Sequence, residues 1–374
     1  MQKESLRGRT AAPLLAQGAA VSLMTVLAVA VTAGAVIRNR SKYDAFFLPS
    51  QQTKAAAQDE NTEQPAIRRA LSCLEQGDYA AAEPLLQQAL REAEAAEPDP
   101  SLSYPATAAI RLRLGILCYD TDRFAEAKDY LTAAKAEFQP VLPENAAEIL
   151  LTDGQLGLCE LSDGAETDGW AMIAPLKSVA EQAESAADRM DACNLLAKGC
   201  LLTGQTADAV KWQEQLLQTA ENTKNETAYL PNYRMQYAAI LLADGQKEPA
   251  AECCRNLLGD KQPALSAKQR TSLYLTLAAA AAGTAESSDA VKAAEAAYRE
   301  ETHSKEEDAA FSLRLADVYE AAGDSKAAVS AARDALSAAK GTGAEANCLI
   351  RLGNALEAAA DSAEALESYV ASLQ

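Results

Sequence analysis

"LRLGILCYDTDRFAEAKDYL", residues 112–131, runs apolar up to Cys118, breaks at a short polar stretch around Asp122, and turns apolar again at Phe124, Ala127 and Leu131. Apolar residues three and four apart share one face of a helix. The stretch therefore predicts two short helices joined by a tight turn. Such a hairpin is too small to bury its own stripe, so it needs neighbours of the same kind.

Neighbours are found at a near-regular interval. Cys159 and Cys200 follow Cys118 at steps of 41 residues, and Cys73 lies 45 residues upstream. Aligned on their turns, eight segments superimpose: "RALSCLEQGDY" from 69, "LGILCYDTDRF" from 114, "QLGLCELSDGA" from 155, "LAKGCLLTGQT" from 196, "YAAILLADGQK" from 237, "LTLAAAAAGTA" from 275, "LADVYEAAGDS" from 315 and "LGNALEAAADS" from 352. The turn residues are Gly77, Asp122, Asp163, Gly204, Gly245, Gly283, Gly323 and Ala360. Glycine suits such a stop because it takes the left-handed conformation cheaply. After the turn the apolar period resumes, as in Tyr79, Ala82, Leu86, Ala89 and Leu90 of the first unit and Ala365, Leu366, Tyr369 and Leu373 of the last.

The second unit resembles a tetratricopeptide repeat. Gly115 matches the family's small residue in the first helix, Cys118 its larger residue three on, Phe124 its aromatic after the turn and Ala127 its small residue in the second helix. Ala316, Tyr319, Gly323, Ala328, Ala335 and Leu336 match in the seventh unit, as do Gly77, Tyr79, Ala82 and Ala89 in the first. The third departs: Asp168 stands where the small residue belongs, and "GAETDGW" reads as an insertion carrying the aromatic at Trp170. The period is longer than the family's. The resemblance covers about 65 to 374 and implies an all-α, right-handed α-solenoid of about eight helix hairpins with a period near 41.

On that reading the ladder cysteines mark one packing position, which Leu241, Ala279, Tyr319 and Leu356 fill elsewhere. Equivalent positions one repeat apart lie about 10 Å from each other. That is beyond a disulfide, which needs Cα atoms within about 7 Å, and it scatters the four thiols over four layers. The adjacent Cys253 and Cys254 diverge on a helix. His303 is the only histidine, which removes histidine-based triads and paired-histidine metal sites. No glycine-rich phosphate loop or G-x-S-x-G motif is present, so neither an enzyme, a cofactor nor a metal is expected. Asn225 in "NET" matches a glycosylation sequon by pattern alone.

From Leu14 to Ile37 no residue is charged, while Lys3, Arg7 and Arg9 precede the stretch and Arg38, Arg40 and Lys42 follow it. About 20 apolar residues suffice to span a bilayer. The expectation is a single-pass membrane protein: tail 1–13, transmembrane helix 14–37, juxtamembrane tether 38–64 and solenoid 65–374. A cleaved signal, with Ala33-Gly34-Ala35 as its cleavage site, is the alternative. The flanking charges balance at three against three. The side of the membrane therefore stays open, with a slight lean to an extracytoplasmic solenoid.

Residues 1–64 carry seven Lys/Arg against five Asp/Glu, and residues 65–374 carry 27 against 48, a net −21. That surface repels nucleic acid and favours a basic or apolar protein or peptide partner. The fold implied by the resemblance binds on a concave face lined by first helices. Its solvent-facing positions give Asp153, Glu160, Asn194, Lys198, Asn232, Asp317, Glu320, Asn354 and Glu357 as candidates. The family's Lys, Arg and Asn cluster for a peptide C-terminal carboxylate is not reproduced; Lys198 with Asn194 is an isolated hint of it. The expected function is a membrane-anchored interaction scaffold for a partner protein or extended peptide; the resemblance to bacterial proteins with one membrane helix before such repeats implies a role in secretion or envelope assembly. The alternative is a ligand- or peptide-sensing module that signals by solenoid deformation.

Overall fold

The computed structural model describes residues 65–75, 79–96, 104–223, 230–259 and 265–372. These residues hold α-helices and no strand, and they divide into two compact units at Glu301 and Thr302. The stretch 14–37, the tether 38–64, the Gly77 turn and Asn225 lie outside the described residues.

In the unit ending at Glu301 the helices pair in chain order. They are α1 (Pro65–Glu75) with α2 (Tyr79–Ala95), α3 (Ala106–Asp120) with α4 (Phe124–Phe138), and α5 (Ala147–Ser162) with α6 (Glu166–Ile173) and α7 (Leu176–Gln182). There follow α8 (Ala186–Leu202) with α9 (Thr206–Glu221), α10 (Leu230–Ala243) with α11 (Lys247–Gly259), and α12 (Ala267–Ala280) with α13 (Ala285–Tyr298). Each helix packs on the next except α6 and α7, which pack on α5 and α8 instead, and first helices also touch across hairpins, α5 on α8 and α10 on α12. The unit from Thr302 holds α14 (Lys305–Ala321) with α15 (Ser325–Ala339) and α16 (Glu345–Ala358) with α17 (Ser362–Ala371).

The turns explain the repeat. Asp122, Gly164, Gly204, Gly245, Gly283, Gly323 and Ala360 all have φ between +64° and +84°. In the second hairpin the Asp122 N–H donates to the Tyr119 carbonyl and the Arg123 N–H to the Cys118 carbonyl. This is the paired closure that satisfies the last carbonyls of a helix. The Arg123–Cys118 kind of bond, from an N–H to the carbonyl five residues back, recurs onto Glu160, Cys200, Leu241, Tyr319 and Leu356. Seven residues before each turn residue stand Gly115, Gly157, Ala197, Ala238, Thr276, Ala316 and Gly353, all small. A Cβ on Gly157 would meet the Gly169 carbonyl oxygen at 2.7 Å, so here the two helices approach to backbone contact.

These positions correct the third hairpin. Its left-handed residue is Gly164, not Asp163, because glycine takes positive φ without the steric cost an aspartate bears. Everything there shifts by one residue. Glu160, not Cys159, closes the helix as Cys118 does, and Gly169, not Asp168, is the small residue of the second helix. "GAETDGW" is therefore no insertion. Cys118 and Cys200 keep equivalent places, and Cys159 sits one step away.

The membrane reading is corrected as well. Among the described residues no helix is long and apolar enough to cross a membrane. The longest, α2, α8 and α14, have 17 residues and carry several charges. At 1.5 Å per residue they fall short of a hydrocarbon core about 30 Å thick.

Candidate functional site

The turn residues also sort the first-helix positions. Counted back from them, Lys198, Asp317 and Asn354 lie six before, Glu320 and Glu357 three before, Asn194 ten before and Asn232 thirteen before. On a helix these offsets fall on one side. Asp153 and Glu160 do not join it, because the register shift moves them towards the preceding hairpin. Asp153 pairs with Lys135 at 2.6 Å and Glu160 with Lys128 at 2.8 Å, both lysines on α4.

In the unit ending at Glu301, Asn194 and Lys198 are buried and Asn232 is half-buried. The Lys198 ammonium lies 3.7 Å from an Asp120 carboxylate oxygen, and both side chains are only 1% exposed. Asp120 also acts on Tyr79, whose hydroxyl pKa is raised well above the ordinary phenol by burial and, second, by that negative charge. Asn232 accepts a hydrogen bond from the Gln269 amide at 2.7 Å, tying α10 to α12.

In the unit from Thr302, Arg351 is buried and ion-paired with Asp317. Tyr369 of α17 donates its hydroxyl to Asn354 at 2.9 Å and to Glu357 at 3.1 Å. Its ring crosses at Gly353, where a Cβ would meet it at 2.5 Å. Glu320 and Glu357 are exposed. The nine candidates thus fall five and four to separate units.

Sequence reasoning missed a second row. Nine residues before the turn stand Arg113, Gln155, Gln236, Arg314 and Arg351, interrupted by Leu195 and Tyr274. Arg113, Gln155, Gln236 and Arg351 are buried. Gln236 accepts from Gln213 at 3.4 Å, and Gln213 also donates to the Tyr233 carbonyl at 3.0 Å. Gln155 is fully buried, and neither atom of its amide has a hydrogen-bond partner among the described residues. The repeat offset was the signal that could have found this row, but a buried Arg or Gln reads in sequence as a solvated one.

The groups this face presents are suited to hydrogen bonds and charge rather than to covalent chemistry. The thiols nearby are poor nucleophiles: burial pushes Cys118 up to about 11 and Cys193 and Cys200 up to about 12. Among the described residues no group of three His, Cys, Asp or Glu side chains is placed to hold a metal ion.

A family profile described as tetratricopeptide repeat matches residues 74–144. No curated protein sequence matches the chain. Among solved structures, the apo form of the quorum sensor NprR from B. thuringiensis is similar at a TM-score of 0.52 and 14% identity, over 86% of this chain and 91% of that one. NprR in complex with its cognate peptide NprX is similar at 0.52 and 13%, with coverages of 86% and 91%. A tetratricopeptide repeat protein from Parabacteroides merdae ATCC 43184 aligns at 15% identity and a TM-score of 0.42, over 78% of this chain and 97% of that one. The likeness to NprR is one of fold.

Proposed function

We propose that this chain, a tetratricopeptide-repeat protein, is a non-catalytic interaction scaffold that takes an extended segment of a partner protein on its first-helix face. The observation that carries the reading is the buried Arg113, Gln155 and Gln236 of the unit ending at Glu301, where the Gln155 amide has no hydrogen-bond partner among the described residues. A stack of hairpins is held by apolar contacts, and a buried polar group without a partner costs stability. Leucine at 155 would serve the stack better. A carboxamide offers donors and an acceptor together, which is what an extended peptide backbone can match. The acidic excess of residues 65–374 favours a basic or apolar segment.

A displayed library of random short peptides, panned on the full chain, tests this. Basic and apolar peptides are expected to enrich, and to be lost on Gln155→Leu and Asn194→Ala. Gln155→Leu is expected to raise the melting temperature, which separates lost recognition from lost folding. Equal enrichment on the variants, or none on the parent, would sink the reading.

A second reading is favoured by the burial of the Lys198–Asp120 pair. A ligand reaching these groups must part the first helices, so binding would reshape the stack, as a sensing module requires. The chain is similar in fold to NprR, a quorum sensor also seen with its cognate peptide. A saturable change in radius of gyration with an enriched peptide supports the sensor, and an unchanged radius leaves the plain scaffold.

A further inference from the structure

On the second-helix side of hairpins three and four, Trp170 of α6 and Trp212 of α9 line a cleft of about 450 Å³. They are both of the chain's tryptophans. The cleft exists because the second helix of hairpin three is broken between Ile173 and Leu176, where Pro175 cannot continue the α6 hydrogen-bond ladder. Cys200 contributes to its lining and is buried, so one wall is apolar.

Among the charged groups lining this cleft, two lysines, Lys177 and Lys211, stand against one carboxylate, Asp208. The Trp170 indole N–H is buried and has no hydrogen-bond partner among the described residues. Lys177 is exposed and forms no ion pair among the described residues, on a chain with a formal net charge of −19. Lys211 bonds Asp208 at 2.7 Å, but the two side chains are 72% and 51% exposed. A pair that open is held weakly and can be exchanged for another carboxylate. Aromatic walls, an orphaned donor and two ammonium groups match a ligand with an apolar body and an anionic edge.

We propose that this cleft is a second docking site, distinct from the first-helix face, for an acidic peptide segment that carries a large apolar side chain. The apolar side chain enters between Trp170 and Trp212, and its flanking carboxylates face Lys177 and Lys211. Charge complementarity selects this occupant: it is opposite in sign to the segment favoured by the acidic surface at large.

Because both tryptophans line the cleft, intrinsic tryptophan emission of the full chain reads this site. The probes are acetylated and amidated Glu-Phe-Glu and Lys-Phe-Lys, which contain no tryptophan. Glu-Phe-Glu is expected to change the emission saturably with a Kd of about 1 mM or below, and Lys-Phe-Lys is not. Lys177→Gln, at an exposed position that leaves the fold intact, is expected to weaken Glu-Phe-Glu about threefold. Gln155→Leu is expected to leave the titration unchanged, which separates this site from the first-helix face. No saturation up to about 10 mM, an equal response to Lys-Phe-Lys, or an unaltered affinity of Lys177→Gln would each overturn the proposal.

Discussion

Hairpin two closes with Gly115 against the Leu131 side chain, 2.6 Å from where a Cβ would stand, whereas hairpin three brings Gly157 against the Gly169 backbone oxygen. The second helix of hairpin two runs unbroken for 15 residues; that of hairpin three is split into pieces of 8 and 7. The same repeat thus tolerates two kinds of contact. One is side chain into gap, able to give by a rotamer. The other is backbone on backbone, which cannot. The rigid contact stands in the hairpin whose second helix is broken.

That contrast can be broken at several points. The largest effect is expected for Gly157→Val, which has no space to move into and should lower unfolding free energy by about 3 kcal/mol or more in urea titrations. Gly115→Ala should cost about 1 kcal/mol, because Leu131 can turn aside and alanine favours the helix. If the two cost the same, the distinction between the contacts is wrong. Leu131→Ala removes a fully buried side chain and should cost about 2.5 kcal/mol by the same measurement.

The turns sharpen the comparison on a smaller scale. Asp122 is held at φ +64° and Gly164 at +84°. Asp122→Gly is expected to stabilise the chain by about 1 kcal/mol and Gly164→Ala to destabilise it by a similar amount, seen as opposite shifts in melting temperature. Smallest is the ion pair that joins the two hairpins. Lys135→Met should cost about 0.5 kcal/mol and become neutral in high salt, since Lys135 and Asp153 are partly exposed.

The hairpin pattern was legible because seven of the first helices end on the same device, a left-handed residue seven places after a small one. It misled only at "LSDGA", where Asp163 and Gly164 are adjacent and either residue type can turn a chain. That single step carried Asp153 and Glu160 onto the wrong face. The buried row of Arg113, Gln155, Gln236 and Arg351 was not legible, because burial depends on what packs over a residue rather than on its own polarity. The tryptophan cleft was hidden for a related reason: Trp170 read as part of an insertion, while the space beside it comes from the break at Pro175.

The central claim, that recognition belongs to the first helices, is tested most directly by amide hydrogen exchange of the full chain with and without a peptide enriched in the panning experiment. Slowed exchange concentrated in α5, α8 and α10, and absent with Gln155→Leu, is the expected result. Protection confined to the second helices α4, α9 and α11, or no protection at saturating peptide, would contradict it.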